Sequence, residues 1–296
     1  MSQGGEREQT EAVPVRVVTD SLAWIPPDLA REYRIRVVPL HVTIDGEHFT
    51  ETVDLTNEEF YRRLRAAQTL PTTSQPSAGE FLDVYREVAR DAGAILSVHA
   101  SSKLSGTVRS AETAAAQLQQ EQPHLRIEVL DTLTIATAEG IVAIRAAQQA
   151  ARGDSLEQIV AAARELAPKT RVLVAVETLE YLQKGGRIGR ARALLGGLLQ
   201  IRPILTITEG EVAPKDRVRT RARALERMLE LMAAEAAGRP FGHVAVLHAD
   251  AAAVADELAD MIQQRFAVDE LIRSEIGPVI GTHVGPGAIG VTYHCD

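Results

Sequence analysis

Residues 95–111 read ILSVHASSKLSGTVRSA, and this stretch limits the fold more than any other in the chain. The apolar run Ile95-Leu96-Ser97-Val98 has the length and character of a buried strand, and Thr107 to Leu118 has the apolar spacing of a helix. Between them stand Ser101, Ser102, Ser105, Gly106 and Thr107. A strand that delivers hydroxyls to a helix N-terminus builds an anion site, because the first helical N–H groups lack partners and the dipole there favours negative charge. The expected guest is a carboxylate or a phosphate. On this stretch alone a second reading stands beside the first: Ser105 caps the helix and the other serines fill a turn.

At 296 residues the chain is long enough for two compact domains, each with its own core. Its 40 acidic and 32 basic side chains leave a formal net charge of -8, so no nucleic acid partner is expected and any basic patch must be local. Cys295 is the single cysteine, which rules out an internal disulfide and fits a reducing compartment. Residues 1–12, MSQGGEREQTEA, are polar throughout, so a disordered tail is expected there rather than a signal peptide. No uninterrupted apolar run reaches the roughly 18 residues of a membrane span. Leu194 to Ile207 comes closest, and Arg202 and Pro203 interrupt it. The expectation is a soluble, cytoplasmic protein.

Taken in order, Val15-Arg16-Val17-Val18 predicts a strand ending in the polar triplet Thr19-Asp20-Ser21, where open α/β sheets place ligand groups. Pro26-Pro27-Asp28 starts a helix to about Tyr33. Val37 to Ile44 reads as one strand, with a hairpin at Asp45-Gly46. Thr56 and Glu59 form a capping-box pattern. The segment from Leu70 to Ser77 reads as a hydroxyl-rich loop fixed by Pro71 and Pro76, with Thr73 and Ser74 held in place, followed by a helix capped by Ser77. Ordinary turn chemistry is the other account of those hydroxyls. Ile127 to Leu130 forms a further core strand, and helices follow at 137–151 and 154–166. Strand and helix in alternation imply a mostly parallel sheet with flanking helices.

The second half opens with strand Val172 to Val176 and a short helix from Thr178 to Lys184, turned by Gly185-Gly186-Arg187. Pro203 to Ile207 is a strand turning at Glu209-Gly210, and Arg217 to Ala237 reads as one long helix. Strand, helix and strand continue to a glycine-rich passage, residues 277–290, which leads into Val291-Thr292-Tyr293. His283 sits in that passage, where small neighbours let the backbone approach a ligand and an imidazole could face an anion. A structural histidine in a tight turn is the alternative. The remaining histidines, His99 among them, stand at no metal-ligand spacing from a cysteine or acidic cluster, and no metal is expected. Lys184, Arg187, Arg190, Arg192 and Arg202, with the arginines from Arg217 onward, form the densest basic zone. It suits a phosphate-bearing group or an acidic partner surface, or else solvated helix faces.

These pieces fall in one order over nearly the whole chain after the tail: Thr19-Asp20-Ser21, Thr73-Ser74-Gln75-Pro76, Ser101-Ser102-x-x-Ser105-Gly106-Thr107, Lys184-Gly185-Gly186-Arg187-Ile188, Arg202-Pro203-Ile204-Leu205, Arg217-Val218-Arg219-Thr220, and Gly277-Pro278 through His283 to Gly285-Pro286-Gly287. In this order they resemble the DegV family, whose members include the fatty-acid-binding subunits of bacterial fatty acid kinase. The resemblance implies an α/β protein of two α/β domains, residues 13–168 with a mostly parallel sheet and residues 169–296 with a mixed sheet. It implies a long-chain fatty acid in an apolar tunnel, its carboxylate held by Thr73, Ser74, Ser102 and Ser105, with Gly106 and His283 beside it. It further implies a non-enzymatic carrier whose bound acid is phosphorylated by a separate fatty acid kinase catalytic subunit. Arg187, Arg202 and Arg217 then serve partner or phosphate docking, with a transient membrane contact, and no cofactor beyond the bound acid is expected.

Burying an acyl chain contributes about 0.8 kcal/mol per methylene, and a buried carboxylate must find several donors. A rival reading is a serine hydrolase of acyl esters with Ser105 or Ser102 as nucleophile and His283 as base, but no Gly-x-Ser-x-Gly elbow is present and no acid is evidently placed to orient the histidine. A nucleotide binder is the other rival, and it lacks a phosphate-binding glycine loop.

Overall fold

The structure is a computed structural model that describes residues 14–196 and 201–295. The first half runs β1 (Val15–Asp20), α1 (Pro27–Glu32), β2 (Arg36–Val38), β3 (His41–Ile44), β4 (Glu47–Thr50), α2 (Asn57–Ala66), β5 (Thr72–Ser74), α3 (Ala78–Val88), β6 (Ala94–His99), α4 (Thr107–Glu121), β7 (Arg126–Asp131), α5 (Thr137–Ala151) and α6 (Leu156–Leu166). The second runs β8 (Arg171–Ala175), α7 (Glu180–Lys184), β9 (Arg202–Thr208), β10 (Glu211–Val218), α8 (Arg221–Ala236), β11 (Phe241–His248), α9 (Ala252–Arg265), β12 (Leu271–Glu275), α10 (Pro278–Val284) and β13 (Ile289–Cys295).

The expected α/β class holds. β2-β1-β6-β7 form a parallel sheet, and every residue of β6 is buried, as a strand covered on both faces requires. Its side chains alternate: Leu96 and Val98 meet α5 and α6, whereas Ile95 meets α3 and α4. The second sheet is mixed, in the order β10-β9-β8-β13-β11-β12, with only β11 and β12 parallel. One of its faces packs under α8 and α9 through Leu225, Met228 and Leu258. Its other face, with Leu205 and Leu247, shares a core with Leu22, Leu40, Phe60 and Ile280. That shared core lies between the parallel sheet, the mixed sheet and a third, small antiparallel sheet, β4-β3-β5.

Several elements differ from the sequence reading. The single strand expected from Val37 to Ile44 is two strands in different sheets, because Pro39 cannot donate to a ladder and the chain turns there. The segment read as a loop contains β5, whose Thr73 pairs with Val42. The long helix begins at Arg221, not Arg217, since residues 211–218 continue past the Glu209-Gly210 turn as the antiparallel partner of β9. Ser105 is not the cap of α4: Gly106 holds that position without a side-chain bond. His283 stands on α10 rather than in a tight turn. The Ser77–Glu80 capping box forms in both directions. The tail, residues 1–12, lies outside the described residues.

Close approach sets one helix. α5 rests on the turn after β1, and a Cβ on Gly140 would lie 2.2 Å from the carbonyl oxygen of Ala23. Gly140→Ala gains about 1 kcal/mol of helix propensity but must push α5 off that carbonyl, an overpacking cost of about 1–3 kcal/mol. The clash wins. Thermal unfolding of the variant should show a Tm lower by about 3 °C or more, and an unchanged or higher Tm would contradict this packing.

Candidate functional site

β5 and α10 meet because each is pinned from behind. β3 holds β5 in register, and α10 starts at Gly277 with Pro278 as its first residue, where a missing N–H costs nothing. The result is a hydrogen bond at 2.9 Å between the Thr73 hydroxyl and Nε2 of His283. Glycines of two motifs make room for it. A Cβ on Gly185 would lie 2.3 Å from His283 Nδ1, and one on Gly285, whose φ is +75°, would strike the Tyr181 ring. Thus the Lys-Gly-Gly-Arg and Gly-Pro-Gly motifs serve close packing of α7 against α10.

Burial above all, and the nearby Arg187 charge second, push the His283 pKa down to about 4, so the ring is neutral at neutral pH. Its Nδ1 is buried without a partner among the described residues. A proton there would be an orphaned donor, so we assign the proton to Nε2, which donates to Thr73. The Thr73 O–H is then free to donate onward.

The serine loop is anchored beside it. Ser101 Oγ donates to the Gly210 carbonyl at 2.8 Å, and a Cβ on Gly106 would sit 2.9 Å from the Gln75 amide, so the two hydroxyl loops touch across that glycine. The Ser105 hydroxyl lies 2.8 Å from that of Thr107, whose N–H also points to it at 3.4 Å. With Thr107 donating, Ser105 keeps a spare O–H. Arg187 donates to the Leu104 and Gly185 carbonyls at 3.1 and 2.9 Å and forms an ion pair with none of the described carboxylates.

Thr73, Ser74, Ser105, Arg187 and His283 stand on the wall of one cavity, which with the open solvent at its mouth holds about 1000 Å³ of space between atoms. The remainder of the wall is mostly apolar, with Leu40, Val174, Leu182, Leu205 and Ile280, and includes Gln75, Thr206 and Thr292. Ser102 stays outside: it is exposed, and its N–H points to the Asp131 carboxylate. Gly106 packs on Gln75 rather than lining the cavity, Arg202 is paired with Glu177, and Arg217 is exposed on β10. Gln75, which does line the cavity, carried no signal of its own beyond its place in the Thr-Ser-Gln-Pro motif. As a hydrolase the site lacks an orienting acid, since His283 gives Nε2 to Thr73 and Nδ1 faces no described carboxylate.

The first polar triplet has a different use from the expected ligand contact. Thr19, Asp20 and Ser21 are buried. Tyr85 donates to Ser97 at 2.7 Å, Ser97 bonds Nε2 of His99 at 2.7 Å, and Nδ1 of His99 bonds Asp20 at 2.8 Å. Glu139 lies against this pair, held well above the usual carboxylate range by burial first and by the Asp20 charge second. Asp20, His99 and Glu139 therefore gather where spacing along the chain gave no hint of a cluster, yet both nitrogens of His99 are already bonded. Glu51 was also missed. It is buried, accepts the Val279 N–H at 2.8 Å and the Ser21 O–H at 2.5 Å, and so ties α10 to the end of β1; burial pushes it up to about 7.

A depressed histidine pKa means that the folded state excludes a proton which the unfolded chain takes up near the ordinary histidine value of 6.5. Stability from this group is complete above that value and is lost as pH falls toward 4. NMR titration should place the His283 midpoint near 4, and Arg187→Ala should raise it. A midpoint near 6.5 in the parent would show a solvated ring and contradict this geometry.

A family profile described as "Uncharacterised protein, DegV family" matches residues 14–295. A DegV domain-containing protein of Clostridium acetobutylicum is 39% identical over 282 residues, covering 95% of this chain and 98% of its own. Among solved structures, a DegV family protein of Thermus thermophilus described for its fatty acid binding superposes with a TM-score of 0.90 at 36% identity, covering 96% of this chain and 100% of its own. DegV of Bacillus subtilis, described as a fatty acid binding protein, superposes with a TM-score of 0.87 at 33% identity and the same coverage. With the profile spanning the described chain and relatives of this similarity matched over nearly their full length, the chain belongs to the DegV family.

Proposed function

We propose that this protein binds a long-chain fatty acid, with the carboxylate at Thr73, Ser74, Ser105 and His283 and the acyl chain in the apolar remainder of the cavity. One observation carries the reading: spare hydroxyl donors and a guanidinium with no described carboxylate partner stand together on the wall of a mostly apolar cavity. A carboxylate removed from water requires several donors, and Thr73, Ser105 and Arg187 supply them with charge-assisted bonds. Neutral His283 acts through Thr73, fixing which way its hydroxyl points. The tail supplies affinity at about 0.8 kcal/mol per methylene before ordering costs. The fatty acid binding described for the Thermus and Bacillus proteins supports the same ligand class here. No cofactor is needed for binding.

The protein acts as a carrier and presents the acid to a separate kinase. The support is chemical: among the described residues no acid orients His283, so activation of the carboxyl is assigned to a partner, and Arg187 beside it can face an incoming phosphate. Arg202, which also pairs with Glu177, and the exposed Arg217 on the neighbouring strand serve docking.

Protein purified from its expression host should carry a fatty acid visible by mass spectrometry after denaturation; nucleotide or no lipid at all would oppose the reading. Ser105→Ala or Thr73→Val should weaken palmitate binding about tenfold or more, the worth of a hydrogen bond to a charged group, with circular dichroism unchanged. Parent affinity in both variants would move the headgroup elsewhere. Arg217→Ala should leave palmitate binding intact and slow its phosphorylation by a fatty acid kinase catalytic subunit with ATP, and an unchanged rate would remove Arg217 from the docking face.

A further inference from the structure

Part of the cavity wall is set by strand register. On β13, Gly290 faces Val174 on one side and Leu247 on the other; two residues farther on, Thr292 faces Val172 and Ala245. α10, which carries His283, joins the start of β13 through residues 285–288, and β13 then runs from that junction through Gly290 to Thr292. At the rise of a strand, Thr292 is about 7 Å beyond Gly290. Both line the cavity, as do Val172 and Val174.

Neither position reads as ordinary sheet. Gly290 does not have the left-handed backbone that favours glycine, and the nearest atoms to a Cβ there would be the Leu173 carbonyl oxygen at 3.3 Å and Val174 at 3.7 Å. A shift of a few tenths of an ångström would admit it. What the missing side chain leaves is a bare strip of floor between Leu247 and Val174. Thr292, 1% exposed, is hydrogen-bonded through its hydroxyl to Thr137, the first residue of α5. Just before it, Ala136 has φ 62° and ψ -151°, a conformation that costs a non-glycine residue on the order of 1–3 kcal/mol. Ile135 and Ala136 also line the cavity. A strained turn thus carries the Thr137 hydroxyl to Thr292, across the end of the bare strip.

We propose that Gly290 and Thr292 gauge the length of the acyl chain: Gly290 lets the chain lie against the strand, and the Thr292–Thr137 pair stops it. This rests on the reading that the cavity holds a fatty acid. Up to the stop, each added methylene leaves water for an apolar wall. Past it, a methylene meets two hydroxyls bonded to each other and must buckle or part them.

The test is the affinity of the full chain for saturated acids in steps of two carbons, from about 10 to about 20 carbons. The parent should gain about fourfold per methylene up to an optimum and then lose affinity. Thr292→Ala should move the optimum to longer acids, with a gain on the order of tenfold for the acid one step past the parent optimum and no change for shorter ones. Gly290→Val should move it the other way, losing tenfold or more on the parent's best acid while the shortest acids still bind. Unshifted optima in two folded variants would overturn the gauge and leave the fatty-acid reading standing, and so would an equal loss at every length. A parent that binds no acid of any length would remove the fatty-acid reading itself and the gauge with it.

Discussion

A neutral imidazole bonded to a threonine 210 residues away is the contact on which the site depends. It joins the small antiparallel sheet to the helix that leads into the last strand of the mixed sheet. Removing water from His283 makes it neutral, and a neutral ring can offer Thr73 a proton while leaving the threonine hydroxyl to point elsewhere. A charged ring in the same place would be a buried cation beside Arg187. Burial is therefore what turns a histidine and a threonine into one oriented donor.

The packing around that contact accounts for much of the glycine in the chain's motifs. Gly185 leaves space for the ring, Gly285 for Tyr181 and Gly106 for Gln75. Glu51 holds the start of α10 from the other side through the Val279 N–H and passes the restraint to Ser21. Beneath, the Tyr85, Ser97, His99 and Asp20 chain fixes the carboxyl ends of β1 and β6. Polar groups at the strand ends thus divide into those spent on internal bonds and those left with a spare hydrogen facing the cavity. Thr73 and Ser105 belong to the second set.

Periodicity and cap chemistry made the α/β class legible, since β6 is mostly apolar and Ser77 marks a helix start. Thr73, Ser105 and His283 were identifiable as candidates through motif order. Other features depend on partners remote in sequence. β5 is a strand only because β3 lies beside it, and Pro39 divides a run that alternates well enough to be one strand. Ser102 and Ser105 have the same chemistry and stand three residues apart, yet one faces solvent and the other the cavity. The cavity itself has no sequence signature, because Leu205 lining a tunnel and Leu225 filling a core are the same residue type on similar elements. Glu51, between two strands of a small sheet and an ordinary helix, gave no sign of burial.

The central claim is that an anionic headgroup is held by oriented hydroxyls inside the protein. Palmitate labelled with carbon-13 at its carboxyl, bound to the full chain and followed by NMR from about pH 7 to about pH 4, reports on that group directly. The account predicts a single bound carboxyl resonance that does not titrate over this range, with close contacts to Thr73 and Ser105. A bound carboxyl that titrates as it does in water, or one whose contacts lie at the Thr292 end, would contradict it.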